Sequence, residues 1–206
     1  VENIELCYFE PTANPVLDTR KTYLQQIWFA GCSVTAGEGV ELEQRYGRLV
    51  ADSLGLPSGF LALNGSSIAW AADQILRADI QPGDIVVWGI TTTERINYIS
   101  DNRVINIGGL PDAERKLAER QLFSETTFYT HLYAIEQVIN YCKKNQITLL
   151  LLGLLTGSNI LRFLKSKSNY FHFPHKLKFI NGLDYLDYVD VGTDNQHPGP
   201  RQHKLY

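Results

Sequence analysis

The 206-residue sequence lacks the features that mark several classes of protein. Its longest apolar stretch, residues 147–155, is far shorter than the roughly 20 residues that a membrane-spanning helix needs. It has no stripe of Lys and Arg, and its net charge is −3, which argues against a protein that holds a phosphate backbone. We therefore expect neither a membrane nor a nucleic acid as its partner.

Cysteine is also scarce. The three cysteines, Cys7, Cys32 and Cys142, are odd in number and widely spaced, which fits free thiols better than a disulfide framework or a zinc site. No basic segment followed by an apolar one opens the chain, although a cleaved secretion signal would leave no trace. We expect no metal, no cofactor and a reducing, cytoplasmic environment.

The sequence does contain enough apolar residues for a folded core. Hydrophobic residues make up 44% of the chain and charged residues 20%, which argues against a disordered or low-complexity protein. About 200 residues suit one compact α/β unit, so we expect a single domain over residues 1–206. The composition leaves the oligomeric state open.

Apolar runs alternate with amphipathic stretches along the chain, a pattern typical of a parallel sheet with crossover helices. The predicted strands are residues 26–30, 59–63, 84–89 and 147–152. The predicted helices are residues 42–54, 68–78 and 113–145.

Small polar residues follow three of the predicted strands, at the edge of a parallel sheet where ligands bind. The clusters are Gly31-Cys32-Ser33, Asn64-Gly65 and Thr91, with Asp194 and His197 near the end of the sequence.

Ser33 has two interpretations. A serine hydroxyl becomes a nucleophile when a neighbouring base takes its proton and a third group orients that base. Asp194, three residues before His197, can place its carboxylate beside Nδ1 of the histidine and leave Nε2 for the serine. Alternatively, Ser33 caps the helix that follows it, a common role for serine, and His197 is a surface histidine.

The order and spacing of these clusters resemble the SGNH (GDSL-type) hydrolase family over about residues 26–199. The matching blocks are Gly31-Cys32-Ser33 with Thr35 and Gly37, then Gly65, then Gly89-Ile90-Thr91, and finally Asp194 with His197. Ser66, Ser67, Trp70 and Arg95 also resemble a subgroup found in cyanobacteria and their phages.

The resemblance implies a fold and a chemistry. The fold is a flavodoxin-like three-layer α/β/α sandwich with a parallel central sheet. The chemistry is ester hydrolysis through an acyl-enzyme, with Ser33 as nucleophile, His197 as general base and then acid, and Asp194 holding the imidazole. The backbone N–H groups of Ser33 and Gly65, together with the side chain of Thr91, would form the oxyanion hole.

A second alignment places the glycine block at Asn64, with Ala69 at the position of the glycine. Gly65 is the better match because Ser66, Ser67 and Trp70 then match as well.

Cys32 and Thr91 depart from the family pattern, which commonly has an acidic residue before the nucleophile and an asparagine in the third block. The change at Thr91 is the more serious one, because losing one oxyanion donor lowers the reaction rate by a factor on the order of 10²–10³.

We expect a serine esterase acting on a small ester or an acetylated glycan. The alternative is a catalytically weak or inactive module of the same fold that serves binding or virion structure, because a fold does not determine a function.

Overall fold

The computed structural model describes residues 24–93, 95, 97–100, 103–106, 125–154, 160, 178–181 and 190–205. The strands in these ranges are β1 (Ile27–Gly31), β2 (Ser58–Ala62), β3 (Ile85–Ile90), β4 (Asn97–Ser100), β5 (Arg103–Asn106), β6 (Thr148–Gly153) and β7 (Lys178–Asn181). The α-helices are α1 (Ser33–Ala36), α2 (Tyr46–Leu54), α3 (Ile68–Arg77), α4 (Glu125–Lys144) and α5 (Pro200–His203), and a 3₁₀ turn covers Leu42–Gln44.

Five of these strands form one parallel sheet in the order β2-β1-β3-β6-β7, while β4 and β5 pair antiparallel with each other. From β1 the chain adds β2 on one side and then β3 on the other, so the strand order reverses between β1 and β3. Ligands of open α/β sheets bind in the crevice at such a reversal, beyond the carboxyl ends of the strands. The residues directly after β1 and β3 meet at that point.

Helices cover both faces of the sheet. Alternate residues of β3 point to opposite faces: Trp88 belongs to a buried cluster with Ile75 of α3 and Ile135 of α4, whereas Val87 belongs to a second cluster with Tyr46 of α2. Burial on both sides explains why β3 and β6 are almost continuously apolar. The predicted three-layer α/β/α sandwich with a parallel central sheet is confirmed.

The sequence predicted the four longest strands but not the three short ones, β4, β5 and β7. The predicted strands 26–30, 59–63, 84–89 and 147–152 are β1, β2, β3 and β6, each displaced by one residue. The antiparallel pair β4–β5 and the edge strand β7 were not predicted. Each of these three has only four residues, too few to show a clear hydrophobic period.

The predicted helix 42–54 is wrong as a single element. Arg45 has extended backbone angles (φ −65°, ψ 141°), so a 3₁₀ turn precedes it and α2 begins at Tyr46. The predicted helix 68–78 ends one residue early at Arg77, because Ala78 is extended. Of the predicted helix 113–145, the structure shows α4, and residues 113–124 lie outside the described residues.

Two kinds of feature are missing from the described part of the chain. None of its helices is both long enough and apolar enough to cross a membrane. Nor do its His, Cys, Asp and Glu residues form a group of three or more that could hold a metal ion. Cys32 and Cys142 are buried free thiols.

Candidate active site

A hydrogen-bonded Asp–His pair lies just before α5. Nδ1 of His197 is 2.5 Å from Oδ2 of Asp194. The other carboxylate oxygen, Oδ1, accepts the backbone N–H groups of Gln196 and His197, each at 3.0 Å. Because both carboxylate oxygens are engaged, the imidazole is held in one orientation, with Nδ1 towards Asp194 and Nε2 on the opposite side of the ring.

The electrostatics of Asp194 suit this role. Burial alone would raise the pKa of its carboxyl, but the hydrogen bonds from the Gln196 and His197 backbone and from the His197 ring outweigh burial and lower the pKa to about 2. Asp194 is therefore ionised throughout the neutral range and can stabilise a positive charge on His197.

The segment that carries the pair, residues 190–199, is here called the His197 loop. It is closed on itself: the Gly192 N–H donates to the carbonyl oxygen of His197 at 2.8 Å, and the Gly199 N–H donates to that of Asp190 at 3.0 Å. The Asp190 carboxylate also accepts two backbone N–H groups in the first turn of α5. The loop and α5 therefore form one hydrogen-bonded unit.

This unit docks on the turn that follows α1. The Thr193 N–H donates to the carbonyl oxygen of Gly39 at 2.9 Å. Glycine is needed on both sides of the contact: a Cβ atom on Gly39 would lie 2.8 Å from Oδ1 of Asp194, and a Cβ atom on Gly192 would overlap the carbonyl group of Gly39. The docking brings the His197 loop to the segment that begins with Ser33.

Ser33 is the first residue of α1 and is only 1% exposed. The capping position before the helix belongs to Cys32, whose side chain makes no capping hydrogen bond, so the interpretation of Ser33 as a helix cap is wrong. α1 ends at Ala36, and Gly37 caps it in a left-handed conformation at φ 82°. Strand, serine and short helix follow one another at the carboxyl edge of the sheet.

The turn after β2 lies against the end of β1. Gly65 is buried and has φ 71°, a conformation that favours glycine. Its neighbour Ser66 donates a side-chain hydrogen bond to the carbonyl oxygen of Gly31 at 2.8 Å. Of the residues of the second alignment, Asn64 is exposed and Ala69 lies in the first turn of α3. The hydrogen bond from Ser66 holds this turn beside the end of β1, and the choice of Gly65 over Asn64 and Ala69 stays a prediction.

Thr91 follows β3, the strand next to β1. It is 2% exposed, and its Oγ1 has no hydrogen-bond partner among the described residues. A buried hydroxyl without a partner is costly, and in a native structure it calls for an explanation. The position of Thr91 at the strand-order reversal makes a ligand atom one such explanation.

Known proteins were compared with this chain as a whole. No family model matches the chain, and no curated protein matches it. Solved structures do match. A carbohydrate esterase family 2 enzyme with a carbohydrate binding domain, from Myceliophthora fergusii, has a TM-score of 0.58 at 17% identity over 96% of this chain and 65% of its own.

Two further structures agree with this match. A family two carbohydrate esterase from Clostridium thermocellum, solved in complex with cellohexaose, has a TM-score of 0.55 at 14% identity over 88% of this chain and 60% of its own. A GDSL-like lipase from Bacteroides thetaiotaomicron has a TM-score of 0.51 at 13% identity over 88% of this chain and 83% of its own. The chain has the SGNH (GDSL-type) hydrolase fold.

The chain spans about 65% and 60% of the length of the two carbohydrate esterases that it matches. Identities of 13–17% relate the folds and leave the individual residues to be argued from geometry. The likeness to a cyanobacterial and phage subgroup stays a prediction.

A buried histidine that was not predicted from the sequence, His131, lies beside the loop that follows β3. His131 of α4 is buried, and its Nε2 lies 3.0 Å from the carbonyl oxygen of Thr93, two residues after Thr91. Burial lowers the pKa of His131, more than the backbone groups of Thr93 and Arg95 raise it. The neutral ring can therefore donate from Nε2 and anchor the loop after β3. In the sequence, only its position in an amphipathic helix was visible.

Proposed function

We propose that this protein is a serine esterase that works through an acyl-enzyme. The observation that carries the proposal is the Asp194–His197 pair, oriented by three hydrogen bonds and docked on the turn that follows Ser33. An imidazole oriented by a carboxylate activates a serine hydroxyl that comes within hydrogen-bond reach of its free nitrogen.

The steps follow from these roles. His197 takes the Ser33 hydroxyl proton at Nε2 while Oγ forms a bond to the ester carbonyl carbon. The imidazolium, stabilised by Asp194, then gives that proton to the leaving alcohol as the ester C–O bond breaks. Water attacks the acyl-enzyme in the same way, with His197 again as base, and releases the carboxylic acid and Ser33.

The oxyanion that forms in both steps needs hydrogen-bond donors. Ser33 and Gly65 offer backbone N–H groups at the ends of β1 and β2, and Thr91 offers its hydroxyl at the end of β3. The unpartnered Oγ1 of Thr91 supports this role, because an oxyanion would satisfy a donor that is otherwise buried without an acceptor among the described residues. In this assignment Thr91 performs the task of the asparagine in the family pattern.

For the substrate we propose an acetylated carbohydrate. Two of the three similar structures described above are carbohydrate esterases, and one of these was solved with cellohexaose. Ser33 and Thr91 are almost fully buried, which favours an acyl group as small as acetyl over a long chain.

The second candidate function is a binding module that does not turn over its ligand. Two observations favour it: the 1% exposure of Ser33, and a threonine at position 91, whose hydroxyl reaches less far than an amide. Such a module would bind acetylated oligosaccharide and leave it intact.

The distinguishing experiment is hydrolysis of a small activated acetate ester. The wild-type protein should hydrolyse this ester. Ser33→Ala should abolish the hydrolysis while keeping the melting temperature within a few degrees of wild type. Ser53→Ala, a matched change on the exposed side of α2, should keep wild-type activity. Activity that survives in Ser33→Ala would refute the nucleophile assignment. Absence of activity in folded wild type, with binding of acetylated oligosaccharide, would favour the binding module.

A further inference from the structure

The His197 loop and α5 form one hydrogen-bonded unit, so the position of His197 depends on how this unit is fixed to the rest of the protein. One attachment is the Gly39–Thr193 contact described above. A second lies at the other end of the unit, where Nδ1 of His203 accepts the backbone N–H of Tyr46 at 3.1 Å. The side-chain rings of Tyr46 and His203 are also stacked, with their centroids 6.1 Å apart and an angle of 12° between their planes.

Tyr46 also contacts α1, the helix that begins with the proposed nucleophile. Its hydroxyl lies 3.0 Å from Oγ1 of Thr35, and the two share a hydrogen bond. Thr35 is fully buried and stands two residues after Ser33 in α1. Two hydrogen bonds through Tyr46 therefore connect α1, which begins with the nucleophile, to α5, which follows the base.

His203 is suited to a fixed contact of this kind. It is 1% exposed, and burial lowers its pKa to about 4, with Asp190 raising it and His197 lowering it further. The ring is therefore neutral at pH 7, and because Nδ1 accepts a hydrogen bond, the proton is on Nε2. Tyr46 is the first residue of α2, where backbone N–H groups have no partner within the helix, so His203 also caps α2.

We propose that Tyr46 and His203 are positioning residues that fix the His197 loop relative to Ser33. The proposal rests on the proposed function, since it concerns the alignment of the base with the nucleophile. Neither residue touches the reacting atoms. They act by fixing the position of Nε2 of His197 relative to Ser33. A displacement of that atom by about 1 Å is enough to lower the reaction rate by on the order of 100-fold.

The test compares variants by the rate at which a fluorophosphonate labels Ser33. His203→Ala removes the acceptor, and His203→Asn restores one through its side-chain oxygen. Tyr46→Phe keeps the ring and removes only the link to Thr35. Val138→Ala, in the buried face of α4, is the control for lost stability away from the site.

We expect His203→Ala to lower the labelling rate by about 10- to 100-fold, Tyr46→Phe by less, and His203→Asn to stay close to wild type. Wild-type labelling in folded His203→Ala, an equal loss in Val138→Ala at matched melting temperature, or failure of His203→Asn to restore the rate would each overturn the proposal.

A second readout separates this proposal from the proposed function. If folded wild type is not labelled at Ser33, the proposed function fails, and amide hydrogen exchange over residues 193–197 then decides the positioning role. Exchange should be faster in His203→Ala than in wild type, His203→Asn and Val138→Ala. Unchanged exchange in His203→Ala would overturn the proposal.

Discussion

The backbone N–H of Thr193 donates to the carbonyl oxygen of Gly39 at 2.9 Å. This bond joins the loop that carries the general base to the turn that follows the nucleophile, two segments from opposite ends of the chain. A backbone bond of this kind requires close approach, and a glycine stands on each side of it, at positions 39 and 192. The candidate active site thus depends on glycines that take no part in the chemistry.

Gly192→Ala tests that dependence. The added Cβ would overlap the carbonyl group of Gly39, so the His197 loop must shift, and we expect activity to fall by about 10- to 100-fold. Gly55→Ala is the control, because its Cβ would meet nothing within 4 Å although its φ of 64° disfavours alanine. That variant should lose about 1 kcal/mol of stability and keep its activity. Equal activity losses in both variants would argue against docking as the cause.

Thr91→Val tests the oxyanion hole. Valine keeps the shape of threonine and removes only the hydroxyl, so kcat should fall by about 10²–10³ with little change in KM. Thr91→Asn, which supplies the donor of the family pattern, should raise kcat. Thr148→Val, at the amino end of β6, is the matched control and should behave as wild type. Undiminished turnover in Thr91→Val would remove Thr91 from the oxyanion hole.

His203 makes stability depend on pH. Its pKa is about 4 in the folded protein and near 6.5 when unfolded, so the unfolded chain binds the proton more readily between these values. The free energy of unfolding should therefore decrease as pH falls from 6.5 to 4, by about 3 kcal/mol, and not change on this account above pH 7.

Urea unfolding at several pH values checks this prediction. His203→Asn should show a smaller decrease than wild type, and what remains includes His131, whose pKa is lowered in the same direction. An identical pH dependence in the two proteins would show that His203 is not buried as a neutral ring.

Four strands of the central sheet could be predicted from the sequence because they contain apolar runs, and those of β3 and β6 are covered on both faces. Ser33, Gly65 and Thr91 could be singled out for a related reason: each comes within three residues after the end of a strand, at the edge where parallel sheets bind ligands. The Asp194–His197 spacing was informative because a three-residue separation lets the two side chains meet within one loop.

The supporting residues could not be predicted. Tyr46 and His203 meet through folding alone, far apart in sequence, and no local sequence pattern indicates the burial of His203. Gly39 and Gly192 likewise reveal their role only when the two backbones are seen in contact. Sequence pattern identified the groups proposed for the chemistry, whereas the contacts that align them depend on tertiary structure.

The most direct test of the account is mass spectrometry of the intact protein after treatment with a fluorophosphonate, which reacts with activated serines. We expect a single adduct on Ser33 of the wild-type protein, no adduct in Ser33→Ala, and strongly slowed labelling in His197→Ala. No adduct on folded wild-type protein, or an adduct that persists in Ser33→Ala, would contradict it.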